Sequence, residues 1–253
     1  MTLKEHELYR ITFQNVDPWL SPQERTLATM RDLLESKSLS PTQRYELGAF
    51  LWCETMVGVF NRLEMIKGMT GRSIYLRQGE DKATIKNEWI IYNYQFYVPV
   101  FQSVFEVALL LINEVLDLGN PYEECKFHVI NKNRKVEASG VKSVLENLQR
   151  MTKEHRRGKN LLLHQGKGVA PLIRTGSPTS FNVSDLAKKA GVDDAAVIEY
   201  LKEFLVTRDQ KEVLKKMTDE CDHLELQVER LFTDMVPQYT RIRSFYLQSQ
   251  IPR

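Results

Sequence analysis

Apolar residues recur along this chain at three- and four-residue steps, the spacing of one face of an α-helix. Ser21-Pro22 places an N-cap before a proline at the first helical position and opens a helix to about Glu35. Ser40-Pro41 repeats the device, and Leu47, Phe50, Leu51, Met56, Val57, Phe60, Leu63 and Ile66 continue the helical period until Gly68 and Gly71. A polar loop with Gly79 follows. A long apolar helix is then predicted from about Lys82 to Leu118, with Trp89, Tyr92, Phe96, Val100, Val104, Val107, Leu111 and Leu118 on its buried stripe. Pro99 should kink or split it, and Gly119-Asn120-Pro121 should stop it.

Residues 120 to 137 read as an irregular connection with room for a short strand pair. Helix resumes near Ala138, burying Val141, Val144, Leu145, Leu148 and Met151. The Gly/Pro/Ser/Thr-rich stretch from Gly166 to Ser180 reads as a long loop. Helix returns from Val183 to about Met235 with a turn at Gly191, and its charges from Arg208 to Glu220 read as a solvated face. The expected fold class is all-α: a helical bundle with long irregular loops. Residues 1–38 form an N-terminal helical extension and 39–253 the bundle, which includes a helix-turn-helix-like segment at 183–205.

Composition narrows the function classes. Hydrophobic residues at 42% and charged residues at 27% describe a chain with a core. A formal net charge of +2 means that any site for a polyanion must be local. Cys53, Cys125 and Cys221 are too scattered for a disulfide framework and point to a reducing, cytoplasmic setting. The N-terminus lacks an apolar signal core, and the run from Val107 to Ile112 is too short to span a bilayer, so no membrane is expected. No metal or cofactor motif stands out. Cys125 and His128 have ligand-like spacing, but two residues do not make a zinc site.

The most uneven local charge lies from Arg150 to Lys167, RMTKEHRRGKNLLLHQGK. On a continuous helix, Lys153, Arg157, Asn160 and His164 fall at i, i+4, i+7 and i+11 and share one face. His155 falls toward the apolar side and reads as a core histidine. Arg binds phosphate through a planar fork of donors, and His shuttles protons near neutrality. The pair has the chemistry for metal-free attack of a ribose 2′-hydroxyl on its own phosphodiester. The candidate catalytic residues are Arg157, His164 and Asn160, and the candidate substrate-binding residues are Lys153, Arg156, Lys159 and Lys167. On composition alone a solvated basic face is the simpler reading, since any helix can carry such residues.

The stretch resembles the HEPN superfamily, helical domains of toxin–antitoxin and phage-defence systems whose hallmark is Arg, four to six residues, then His. Arg157 and His164 have that spacing, and KNLLLH (Lys159–His164) is similar to Arg-Asn-x-x-x-His with Lys in place of Arg. The preceding YNYQFYVPVFQSVFEVALLLINEVLDLGNP resembles the long aromatic-rich helix of that family. The resemblance covers roughly residues 40 to 165. It implies a metal-independent endoribonuclease or related RNA-acting protein, RNA as partner, a homodimer whose two motifs face one cleft, and an antitoxin protein as a further partner. Two alternatives stay open: a non-catalytic helical module binding RNA or protein, and a DNA-binding regulator. The latter would use SDLAKKAGVDDAAVIEYL (Ser184–Leu201), although Asp193, Asp194 and Glu199 on its would-be reading face repel phosphate.

Overall fold

The protein is all-α. The computed structural model describes residues 2–36, 38–71, 82–164 and 210–249, and among these there is no strand. The α-helices are α1 (Glu7–Val16), α2 (Leu27–Glu35), α3 (Pro41–Gly71), α4 (Lys82–Val115), α5 (Phe127–Ile130), α6 (Arg134–Ala138), α7 (Val141–His164) and α8 (Gln210–Ser249). Short 3-10 turns occupy Leu3–Glu5, Pro22–Arg25 and Tyr122–Glu124.

Local chemistry sets most of the helix ends. At the start of α3, Ser40 N–H donates to Gln43 Oε1 at 3.1 Å and Gln43 N–H donates to Ser40 Oγ at 3.2 Å. This reciprocal box satisfies donors that the first helical turn leaves free. The Ser21-Pro22 signal opens a 3-10 turn rather than the α-helix itself, and α2 starts five residues later with Thr26 accepting from Thr29 N–H at 3.2 Å. The chain leaves α4 through two left-handed residues, Asp117 (φ 47°) and Gly119 (φ 73°), with Leu118 N–H donating to Asn113 O at 2.9 Å.

Three expectations change. Pro99 does not split α4, which runs unbroken across it, and Pro237 is likewise carried inside α8. The connection after Pro121 holds the short helices α5 and α6 instead of a strand pair. The buried stripe of α4 begins on a different face. Tyr94, Tyr97 and Phe101 are buried, whereas Tyr92 and Phe96 are each 49% exposed.

The chain forms two compact units, Met1–Phe60 with Ser103–Arg150 and Leu224–Arg253, and Asn61–Gln102 with Met151–His223. In the first, Val16, Leu20, Met30, Leu47, Phe50 and Leu51 form a buried cluster flanked by Tyr9, Phe13 and Trp19. Each such side chain taken fully out of water stabilises the fold by about 1.5–3 kcal/mol. Val141, Val144, Leu145 and Leu148 of α7 and Leu231, Phe232, Met235 and Tyr239 of α8 are also buried. In the second unit, Trp89 Nε1–H donates to Met69 O at 3.0 Å, and Tyr97 and Phe101 supply large buried rings. Within α4, Tyr92–Val115 is long and apolar enough to cross a membrane by length and composition. Its burial against the protein's own side chains accounts for that character equally well, and buried Asn93, Gln102 and Asn113 lie along it.

Candidate functional site

α7 decides how the Arg/His motif can be presented. A mid-helix glycine costs about 1 kcal/mol relative to alanine, yet α7 passes Gly158 without a break and is described as helix as far as His164. The register assumed from the sequence therefore extends through the motif. For Arg156, Arg157, Lys159, Asn160 and His164 the structure describes the backbone alone, and Lys167 and the segment 183–205 lie outside the described residues.

A buried anchor sets the rotation of this half of α7. His155, 4% exposed, lies among the rings of Phe101, Tyr97 and Tyr94 at centroid distances of 4.8, 6.0 and 6.4 Å. Its Nε2 lies 3.3 Å from Glu220 Oε1 on α8, while its Nδ1 is buried with no hydrogen-bond partner. Glu220 also accepts from Tyr97 OH at 2.9 Å on Oε2, and Cys221 Sγ stands 3.8 Å from the same hydroxyl. Burial works to raise the Glu220 pKa. Hydrogen bonding and charge from His155, the Tyr97 hydroxyl and the charge of Lys216 outweigh it and leave the carboxyl below its ordinary value. Burial pushes the Cys221 thiol up to about 11, so it is held protonated rather than as a nucleophile.

At about 100° per residue, Lys153, Arg157, Asn160 and His164 all lie between about 140° and 200° around the helix from His155. Lys153, the member whose side chain is described, is exposed. The histidine the sequence assigned to the core thus holds the helix by the face opposite the motif.

The charge pattern of the sequence puts Glu220 on a solvated face. The structure corrects this: the carboxyl is tied to His155 and Tyr97, while Lys211, Glu212, Lys215, Lys216 and Asp219 are exposed. No local signal could have paired Tyr97, His155 and Glu220, because each is more than fifty residues from the next. Cys125 is buried with its Sγ 3.4 Å from Pro121 O, and among the described residues no group of three His, Cys, Asp or Glu side chains is arranged to hold a metal ion.

A second feature lies within the first unit. A cleft of about 890 Å³ opens between α2, α3, the end of α4 and the last turns of α8, lined by Arg31, Arg44, Trp52, Glu114, Tyr122 and Tyr246 among others. Sequence reasoning singled out none of these residues for function.

The fold and these sites define an all-α protein with a basic motif on an unbroken helix. No family model, curated protein or solved structure matches the chain.

Proposed function

We propose that the protein is a HEPN-like, metal-independent endoribonuclease of the toxin or defence type, acting on RNA as a cytoplasmic homodimer. The observation that carries this reading is the uninterrupted course of α7 through Gly158 to His164. It brings Arg157, Asn160 and His164 to one helix face, opposite the His155 anchor.

In the proposed reaction His164 takes the proton from a ribose 2′-hydroxyl as the oxygen attacks the adjacent phosphorus. The guanidinium of Arg157 meets the charge that gathers on the phosphorane oxygens, and Asn160 orients the reacting groups. The P–O5′ bond breaks, and the second protomer's imidazolium returns a proton to the leaving 5′-oxygen. The products are a 2′,3′-cyclic phosphate and a 5′-hydroxyl. Lys153, Arg156, Lys159 and Lys167 supply positive charge along the bound strand.

The test is incubation of labelled RNA with the protein in the presence of a chelator, comparing the native chain with His164→Ala. Cleavage to cyclic-phosphate ends by the native chain and its loss in the variant support the reading. Equal cleavage by both removes the catalytic role. Tight RNA binding without turnover by the native chain would instead assign the fold to a non-catalytic RNA-binding module.

A further inference from the structure

The cleft in the first unit has an unusual charge arrangement. Two of its carboxylates, Glu114 and Asp117, stand at the carboxyl end of α4, where the helix carbonyls already present partial negative charge. No basic residue lies in the last turn of α4, and among the described residues no cation stands within ion-pairing distance of Glu114.

Glu114 is nonetheless partly buried, and burial raises its pKa. Its carboxyl accepts from neutral donors, Asn113 Nδ2 at a long 3.4 Å and the Tyr122 hydroxyl, neither of which cancels its charge. Room for the carboxyl comes from Gly48 on α3, where an added Cβ would overlap Glu114 Oε2. Asp117 is held in place by Tyr246 OH, which donates to its Oδ2 at 3.0 Å.

The two arginines of the cleft do not offset this charge. Arg44 donates to the carbonyls of Leu34 and Ser36, and so caps the end of α2. Arg31 lies over the ring of Trp52, with Cζ 5.8 Å from the centroid. The cleft also has aromatic walls: Trp52 against Tyr122 edge-on at 5.4 Å, and Tyr45 against Tyr246 at 5.3 Å.

One ammonium already uses the negative end of α4. Lys135 Nζ donates to Leu116 O at 3.0 Å and to Asp117 O at 2.5 Å. That pairing is independent of Glu114 and shows which charge this helix end attracts.

From these observations we infer that the cleft binds an organic ammonium compound, with its charge at Glu114 and its body against Trp52, Tyr122 and Tyr246. A cleft of about 890 Å³ falls in the range of small-molecule sites, and aromatic faces with nearby carboxylates favour cations on electrostatic grounds. The site does not depend on the ribonuclease reading, since all its residues belong to the first unit.

Isothermal titration calorimetry of the full chain tests it, with benzyltrimethylammonium as probe, benzylamine as a second cation and benzoate as an anion of similar shape. Saturable binding of either ammonium probe is expected, with none for benzoate. Glu114→Gln should weaken it by roughly tenfold or more through loss of the charged partner. If circular dichroism shows that this variant has lost helix, Trp52→Phe carries the test, and the poorer cation–π face should weaken binding by roughly threefold or more. No saturable binding of either ammonium by the native chain, equal binding of benzoate, or unchanged affinity in the folded variants would overturn the proposal.

Discussion

His155 and Glu220 meet with Nε2 and Oε1 3.3 Å apart, joining α7 to α8 beneath the rings of Tyr97 and Phe101. The contact is almost closed to water on the histidine side, where the side chain is 5% exposed, and 22% exposed on the carboxylate side. Because the folded Glu220 carboxyl titrates below its ordinary value of 4.5, its contribution to stability is present above that pH. It is lost as the pH falls through the folded value. Glu220→Gln is expected to cost about 1–2 kcal/mol at neutral pH. The gap from the native chain should narrow below pH 4.5. Urea unfolding across pH reads both effects, and a constant gap would show that Glu220 is not ionised in the folded protein.

His6 gives a second pH signature at a higher range. Its Nδ1 accepts from Leu8 N–H at 3.2 Å as the cap of α1, and its Nε2 lies 3.1 Å from Thr233 Oγ1. Burial lowers its pKa from 6.5 against the opposing charges of Glu229 and Glu7. The stability it lends is complete above pH 6.5 and declines as the pH falls through the lowered value. His6→Asn keeps a capping acceptor without the titration. It should cost about 1 kcal/mol at neutral pH and flatten the stability profile just below pH 6.5. Urea midpoints over that interval are the measurement.

Arg243 reaches from α8 to Glu46 on α3, with Nε and Oε1 2.6 Å apart. Glu46 is 4% exposed, so deleting the guanidinium strands a buried carboxylate. Arg243→Ala is expected to cost about 2–3 kcal/mol, less than for a fully enclosed pair because Arg243 keeps some contact with water. Replacing both partners, Glu46→Leu with Arg243→Met, should recover more than half of that loss in chemical denaturation. A double variant no more stable than Arg243→Ala would show that the damage lies in packing.

Two glycines should respond in opposite directions to alanine. Gly140, just before α7, has φ 78°, and a Cβ there meets nothing closer than Asp234 Oδ2 at 3.8 Å. Its cost, about 1–2 kcal/mol, comes from the left-handed backbone rather than from a clash. Gly58 lies inside α3 with nothing within 4 Å of an added Cβ. Alanine there should stabilise by up to about 1 kcal/mol. Thermal and urea midpoints of the two variants, measured side by side, separate backbone strain from helix propensity.

For the proposed ribonuclease, Arg157→Lys is the sharper probe of the guanidinium. It keeps the charge and removes the planar fork, and kcat should fall roughly 10- to 100-fold. Helicity should stay unchanged because Lys is as good a helix former as Arg. Full activity in the lysine variant would mean that simple charge, rather than bidentate geometry, serves the phosphate.

The helical class and several boundaries were legible because they rest on local chemistry. Ser40 and Gln43 form the box at the head of α3, and the Gly119-Asn120-Pro121 stop lies just beyond α4. The period within α4 was readable, but not the face, since aromatic residues occupy both sides; Tyr97 and Phe101 are buried through contact with His155, far along the chain. α1 went unread because its cap is a histidine, outside the usual Ser, Thr, Asp and Asn set. The extent of α8 to Ser249 is not legible because the helix continues past Pro237, a residue that removes a backbone donor and ordinarily breaks a helix. Of the candidate site, the shared face of Arg157, Asn160 and His164 could be derived in advance from helix geometry, and the unbroken α7 agrees with it. The carboxylates and rings of the cleft could not, as they come from four separate stretches of sequence.

The unbroken passage through Gly158 makes spacing, more than composition, the quantity the motif depends on. One residue inserted after Gly158 would leave Arg157 where it is and swing His164 about 100° around the axis. Every side chain would survive and their common outlook would be gone. Homologous chains that preserve the motif's letters while gaining or losing a position between them would have surrendered whatever the two residues accomplish jointly.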